Sequence, residues 1–381
     1  MINPGNSKIS QKSNTNFVMG YAINLCKFHI YNVAYNHNIA EEGMEMTQNR
    51  VRIVDVADAL GLSTATISNV IHGKTEKISD ETVKRVQQEL ERSGYIPNMA
   101  GILLARNNSR IIGVVVNDNE KYEGRVLEDG FVMASINALS HEVNEKGYFL
   151  MIKTTSDISE IPVFASMWNM DGLILMGFCE ADYEKLRNQM RISFVVYDGY
   201  FEKCSKVVNL VINHYDGGYL AGKYFRKLGH KKALCIADNF ICMDKERIEG
   251  FSEAFGPGET LRWEIPKTEK KRMCFYEDKY QTLLKNNVTA VFAVSDFYAL
   301  EFMRFLQGKD IQIPKDIQII GFDDNMACRE SHPSLTTIHQ EAPLRAKTAI
   351  KCLEAMRDGT ECETEIVLPV ELIKRESTGE L

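Results

Sequence analysis

The sequence predicts a small all-α helix-turn-helix headpiece followed by a larger α/β body built on parallel sheets. Three observations predict this. From Ile53, IVDVADALGLSTATISNVIHG reads as two short amphipathic helices flanking a glycine turn. After Arg110, apolar strands alternate with amphipathic helices, the pattern of β-α units whose parallel sheets are covered on both faces. Charge divides at the same place: residues 50–110 hold nine Lys and Arg against seven Asp and Glu, and residues 111–381 hold 33 against 42. With a formal net charge of −7 over 381 residues, nucleic-acid contact is confined to a local patch.

Residues 1–49 are rich in Asn and lack periodicity. They are expected to be a disordered leader, or a mis-assigned start with translation beginning at Met46, behind codons for Glu41-Glu42-Gly43 that suit a purine-rich ribosome-binding sequence. The helix-turn-helix domain spans residues 50–96. In it Ala57 is small where a second helix crosses, Gly61 supplies the positive φ of a tight turn, and Ser63 caps the next helix. Ile67, Val70 and Ile71 form that helix's inward stripe, while Thr64, Ala65, Ser68 and Asn69 face outward, a placement suited to a major groove. A third helix fits Ser79 to Ser93, with Ser79 as cap, Val83, Val86 and Leu90 inward and Gly94 as stop. Residues 97–109 read as a hinge. After Asn98, MAGILLAR is a helix too short to persist alone in water, and Gly101 costs it roughly 1 kcal/mol relative to Ala, so it orders only against a partner.

In the body, strands are expected at IIGVVV, YFLMI, GLILM, SFVVY, VVNLVI, ALCIA, TAVFAV and IQIIGF, with helices at 131–146, 216–228, 245–255 and 296–307. No G-x-G-x-x-G follows the first strand and no G-x-x-x-x-G-K-[ST] occurs, which excludes the common nucleotide-binding enzymes. No G-x-S-x-G elbow is present, and His141, His214, His230, His332 and His339 show no i,i+4 pairing. Neither an enzyme site, a cofactor nor a metal is therefore expected, and His230, in an LGH turn, reads as a structural hydrogen bonder. The nine cysteines are scattered and never spaced C-x-x-C, as suits reduced thiols. No apolar run approaches the roughly 20 residues of a membrane span, so a cytoplasmic location without membrane contact is expected.

VRIVDVADALGLSTATISNVIHGK and SDETVKRVQQELERSGYIPN, followed by the hinge, resemble the headpiece of the LacI/GalR (lactose-repressor/galactose-repressor) family of bacterial transcription regulators. The resemblance runs over about residues 50–379 through DGLILMG, GGYLAGKYFRKLGHKKALCIA, RIEGF, TAVFAVSD, IPKDIQIIGFDD, PSLTTIHQ and ELIKREST, in the family's order. It implies an effector-binding and dimerisation domain over 110–381, two periplasmic-binding-protein-like lobes joined by three crossover strands near 212, 339 and 369. Lobe N would hold 110–212 and 340–368, and lobe C 213–339 and 369–381.

The resemblance also implies sites. DNA contact falls to Ser63, Thr64, Ala65, Thr66, Ser68, Asn69, His72, Asn98 and Leu104, the last wedged into the minor groove to kink the duplex. Asn69 stands where the family usually has Arg, which shifts preference from guanine toward adenine, and Gly101 stands where Ala is usual. Effector contact falls to Phe131, Asp198, Arg247, Ser295 and Asp323, which with Asp296 follow strands or open helices where ligands of such folds bind. Carboxylates and a guanidinium fork suit vicinal hydroxyls, so a sugar or sugar derivative is expected. For Arg247 and Asp323 a structural salt bridge is the alternative, and for Phe131 a core position. The loop from Asn117 to Gly130 is longer and more charged than usual, the segment between Lys153 and Asp171 is shorter and one helix trimmed, and the family's usual Asn is Ser at 295. The run KTEKKR over 267–272 reads as a solvated face, or else as a site for an anionic effector such as a sugar phosphate.

The expected protein is a homodimeric, effector-responsive repressor of a near-palindromic double-stranded operator, with no leucine heptad for a tetramer seam. The alternative is a sugar-binding carrier without DNA activity, which has no use for residues 50–106. The wedge predicts that Leu104→Ala weakens operator binding more than non-specific DNA binding. Equal losses on both, measured by anisotropy at fixed salt, contradict it.

Overall fold

The computed structural model describes residues 51–71, 73–96, 109–178, 186, 189–199, 207–256 and 260–379. The chain divides between Met99 and Ala100 into two compact units. The first is a three-helix unit: α1 (Ile53–Leu60), α2 (Thr64–Ile71) and α3 (Asp80–Ser93). Each boundary has a local cause. Gly61 closes α1 at φ 66° and Gly94 closes α3 at φ 65°, and the Ser63 and Ser79 hydroxyls accept the amides of Thr66 at 3.1 Å and Thr82 at 3.3 Å. Val56, Ala57, Ile67, Val70 and Val86 form the core, ringed by Leu60, Leu62, Val83, Leu90 and Tyr95.

The second unit contains two six-stranded sheets. The first lobe is built from β1 (Ile111–Val116), α4 (Gly130–Glu145), β2 (Phe149–Thr154), α5 (Glu160–Met167), β3 (Gly172–Met176), β4 (Phe194–Tyr197) and β5 (Val207–Ile212). The second adds α6 (His214–Lys227), β6 (Ala233–Ala237), α7 (Cys242–Phe255), β7 (Thr260–Glu264), α8 (Glu269–Lys285), β8 (Ala290–Ala293), α9 (Asp296–Gln307), β9 (Gln318–Asp323), α10 (Ala327–Glu330) and β10 (Thr336–Gln340). The chain then returns through α11 (Ala342–Asp358) and β11 (Glu365–Leu368) and ends on β12 (Val370–Ile373). Strand orders are β11-β5-β4-β3-β1-β2 and β12-β10-β9-β8-β6-β7, parallel throughout except for β10 against β12. Central strands such as β1, β3, β6 and β8 are buried at every residue because helices cover both faces, whereas the edge strands β2 and β7 are mostly half-buried or exposed.

The chain passes between sheets at Asn213, Glu341 and Pro369, so β10 continues one residue past the crossing read near 339 and includes Gln340. Helix α6 starts at His214, earlier than 216, because the Asn213 side chain accepts the Asp216 amide at 3.0 Å and caps it there. Elements left out of the sequence reading include β7, where only Trp263 is buried, and α8, a mostly polar helix that buries only Arg272, Tyr276 and Leu283.

One packing contact sets the second lobe's geometry. Helices α6 and α7 cross backbone to backbone. A Cβ on Gly218 would lie 1.8 Å from the Arg247 carbonyl oxygen, one on Gly222 2.4 Å from that of Phe251, and one on Gly250 2.0 Å from that of Tyr215. Gly218→Ala therefore forces the helices apart and destabilises the domain by about 2–3 kcal/mol. Gly379→Ala, with nothing within 4 Å of the added carbon, is near neutral; denaturant midpoints of the two variants check the contrast.

Candidate functional site

A cavity of about 170 Å³ opens between the lobes at the C-terminal ends of their strands, and Phe131, Asp198, Arg247, Ser295 and Asp323 all line it. Its floor is a chain of buried polar contacts. Asp198, just after β4, takes the Arg345 guanidinium on Oδ1 at 2.7 Å and the His214 Nε2 on the same atom at 2.8 Å. His214 accepts Arg247 Nε on Nδ1 at 3.1 Å, and Arg247 also donates to the Val294 carbonyl. In the other direction Arg345 Nη1 donates to Gln340 Oε1 at 3.2 Å, and Gln340 Nε2 donates to Asp323 Oδ1 at 2.8 Å. The Arg247 guanidinium lies 3.7 Å above the centre of the Phe322 ring.

The sequence supplies this chain from both lobes and from two of the three crossings. Asp198 and Arg345 belong to the first lobe, Arg247 and Asp323 to the second, and His214 and Gln340 flank the crossings. Asp198 and Asp323 have positive φ values of 55° and 122°, conformations that non-glycine residues rarely hold without surrounding constraint.

Burial pushes the Asp198 carboxyl up, but Arg345 and His214 outweigh it and hold it far below the usual carboxylate range. His214 comes down to about 4, through burial first and with Arg247 adding to it, so the ring is neutral near pH 7. A neutral imidazole fits both contacts, with Nε2–H donating to Asp198 and Nδ1 accepting from Arg247. Among the described residues, Oδ2 of Asp198, Nη2 of Arg247 and Oδ2 of Asp323 have no protein partner, so each anchored side chain keeps a second polar atom for a ligand. This is a pre-organised set of donors and acceptors, suited to holding hydroxyl groups in fixed directions.

Ser295 contributes differently. Its hydroxyl accepts the Tyr298 amide at 3.4 Å and caps α9, so its contact with the cavity comes from a helix start. Phe131 is half-buried against the core, with the Arg345 guanidinium 5.9 Å from its ring centre, and so both packs and lines the cavity. Asp296 is fully buried and accepts Thr337 Oγ1 at 2.6 Å and the Asn325 amide at 3.0 Å, a structural position. His230 bonds the Thr289 hydroxyl at 2.8 Å.

The solvated-face reading of the run 267–272 needs correction at its last residue. Lys267, Lys270 and Lys271 are exposed, but Arg272 is buried in a two-pronged pair with Glu301, both N–O distances 2.7 Å, and Tyr276 donates to the same carboxylate at 3.2 Å. The helical periodicity of α8 turns this one cation inward. With its guanidinium held by Glu301, it is not an anion site.

In the three-helix unit, α2 leaves Thr64, Ala65 and Asn69 exposed, with Ser63 exposed before it and Thr66 and Ser68 half-buried. Ser63 and Thr66 hydroxyls bond one another at 2.9 Å, which ties two of the predicted DNA-contacting side chains to the helix cap. His72, Asn98 and Leu104 lie outside the described residues.

Comparison with known proteins falls on both units. The family of bacterial regulatory proteins, lacI family, matches residues 52–98, and the periplasmic binding protein-like domain matches residues 223–378. The HTH-type transcriptional repressor PurR of Pasteurella multocida is 30% identical over 340 residues, covering 85% of this chain and 98% of that protein. The chain belongs to the LacI family of bacterial regulatory proteins. The crystal structure of the Lac repressor dimer bound to operator and an anti-inducer superposes with a TM-score of 0.73 at 21% identity, covering 86% of this chain and 99% of that one. The complex of the transcriptional regulator CelR with cellobiose gives 0.62, also at 21% identity, over 86% of this chain and all of that one.

This LacI-family chain is thus a DNA-binding transcription regulator with a ligand-binding domain, and not an enzyme. Sequence reading missed His214, Gln340, Arg345, Lys121, Asp238 and Asp244 at the cleft. Asp238 carried a signal, since it follows the strand ALCIA as Asp198 follows SFVVY. Arg345 carried none, because it reaches the cleft from a helix distant in sequence. Among the described residues, no helix is long and apolar enough to cross a membrane.

His214 makes the cleft sensitive to acid. Its folded value of about 4 lies below the ordinary 6.5, so its contribution is complete above pH 6.5 and is lost as pH falls toward 4. The stability difference between the unaltered protein and His214→Gln should shrink by on the order of 2–3 kcal/mol over that window. A difference that stays flat with pH in urea titrations would contradict a neutral His214.

Proposed function

We propose that this chain is a cytoplasmic transcriptional repressor that binds a near-palindromic operator as a homodimer and is controlled by a polyhydroxylated effector, a sugar or sugar derivative, held between its lobes. The observation that carries this reading is the polar chain from Asp323 to Val294, which draws on both lobes and two of the three crossings while keeping three polar atoms without protein partners among the described residues. A ligand bridging those atoms has different contacts at each lobe angle, and only such a difference can shift an equilibrium. Residues 97–109, the proposed hinge, join the headpiece of 50–96 to the body that begins at 110. A change in lobe angle alters the free energy of ordering two hinges on DNA, where Leu104 is the proposed wedge.

Ser63, Thr64, Ala65, Thr66, Ser68, Asn69, His72 and Asn98 are the proposed DNA contacts, and Phe131, Asp198, Arg247, Ser295 and Asp323 the proposed effector contacts. Support for a second copy comes from an open groove of about 960 Å³ edged by Met133, Phe297, Leu300 and Met326, where Met133 is 53% and Met326 72% exposed. Exposed apolar side chains set among charged ones of both signs suit a symmetric partner, and two headpieces then read two half-sites.

The test is a fluorescence-anisotropy titration of the full-length protein against palindromes nearest its own gene, at stated salt, with and without a panel of sugars. Nanomolar, sequence-dependent binding that one compound changes at least tenfold is expected. Weak, salt-sensitive binding on every sequence overturns the reading.

A further inference from the structure

The cleft holds more carboxylates than cations. Asp129, Asp198, Asp238, Asp244 and Asp323 line it against Lys121 and Arg247. Arg345 neutralises Asp198, and among the described residues none of the other four carboxylates is in an ion pair. Four carboxyl groups are thus set against two cations. Asp238 and Asp244 are 7% and 9% exposed, and a single amide, Asn239 Nδ2, serves both, at 3.1 Å and 2.9 Å. Burial drives Asp244 up to about 6 and raises Asp129 and Asp323 as well, as expected of desolvated carboxyls short of counter-charge. Burial pulls Lys121 down, but Tyr122, Tyr298, Asp238 and Asp244 outweigh it and raise it well above its ordinary value, so it is fully charged and is already included among the cations.

A second observation points to a ligand. Tyr197 and Tyr298, 2% and 1% exposed, line the same cavity, and their buried hydroxyls have no hydrogen-bond partner among the described residues. Buried polar groups are rarely left so. Acceptor carboxylates and two tyrosines with unpaired hydroxyls therefore line the cavity together. A phosphate would add close to two negative charges to this wall, whereas an ammonium group would supply the missing positive charge and three N–H donors.

We propose that the effector is a polyhydroxylated molecule bearing a protonated amine, of the amino-sugar or aminated-polyol class, whose ammonium seats at Asp238 and Asp244. This rests on the reading of the cleft as an effector site and narrows its ligand.

Full-length protein is titrated by calorimetry and thermal shift at pH 7 with matched sets: glucose, glucosamine and glucose 6-phosphate, and the galactose and mannose counterparts. At least one amino sugar should bind tenfold or more tighter than its neutral partner, with its phosphorylated partner weaker still. Asp244→Asn and, separately, Asp238→Asn should each reduce that ratio at least fivefold. A neutral or phosphorylated sugar that binds as tightly as its aminated counterpart overturns the proposal, as does a panel in which no amino sugar binds. Operator anisotropy separates the two readings. An amino sugar that binds without changing operator affinity removes effector control and leaves the charge assignment standing, while a neutral sugar that binds preferentially and changes operator affinity does the reverse.

Discussion

The buried run of contacts through Asp323, Gln340, Arg345, Asp198, His214 and Arg247 is the constraint on which the body depends. Each member is costly to bury alone, and each is tolerated because the next satisfies it. The run also explains features that look unrelated. Asp198 and Asp323 hold positive φ where their side chains are tied into this run, Asp198 by Arg345 and His214 and Asp323 by Gln340. Gly218, Gly222 and Gly250 are required because Arg247 reaches the His214 ring only when α6 and α7 touch at their backbones. A neutral His214 is the one protonation state that lets a carboxylate and a guanidinium sit on opposite ring nitrogens.

The two units solve different physical problems. The three-helix unit has a small core of local contacts and relies on caps at Ser63, Ser79, Gly61 and Gly94 to fix its helices. Its helix α2 presents short side chains, Thr64, Ala65 and Asn69, so that face can approach a partner closely. The body has an extensive core, and its chemistry sits at the seam where two sheets exchange strands.

The strand runs were legible because parallel strands covered on both faces read as uninterrupted apolar stretches, as in IIGVVV and ALCIA. Helix α2 was legible from its period and its cap. Edge strand β7 and helix α8 were not, because TLRWE buries one side chain and α8 carries a mixed, largely polar face with an inward arginine. At the cleft, residues directly after strands stood out, among them Asp198 and Asp323. Those arriving from crossings and helices, His214, Gln340 and Arg345, are brought in by tertiary packing that no local pattern encodes. Lys121 stood within a loop noted only as long and charged, and its place beside Asp238 and Asp244 follows from how the second lobe meets that loop.

The pairing of β11 with β5 and of β12 with β10 closes each sheet with a strand from the last part of the chain. Neither lobe has its full complement of strands until residues 365–373 have been made, although most of each sheet is synthesised long before. The headpiece, whose hydrophobic core lies within residues 51–95, is complete from the outset. During synthesis, then, the DNA-reading part of this protein is finished while the sensing part still waits for its closing strands, and a nascent chain interrupted early would carry a reader with no sensor. Long-range closure of this kind is slow compared with local helix packing, so the order in which the two activities mature is written into the order of the strands.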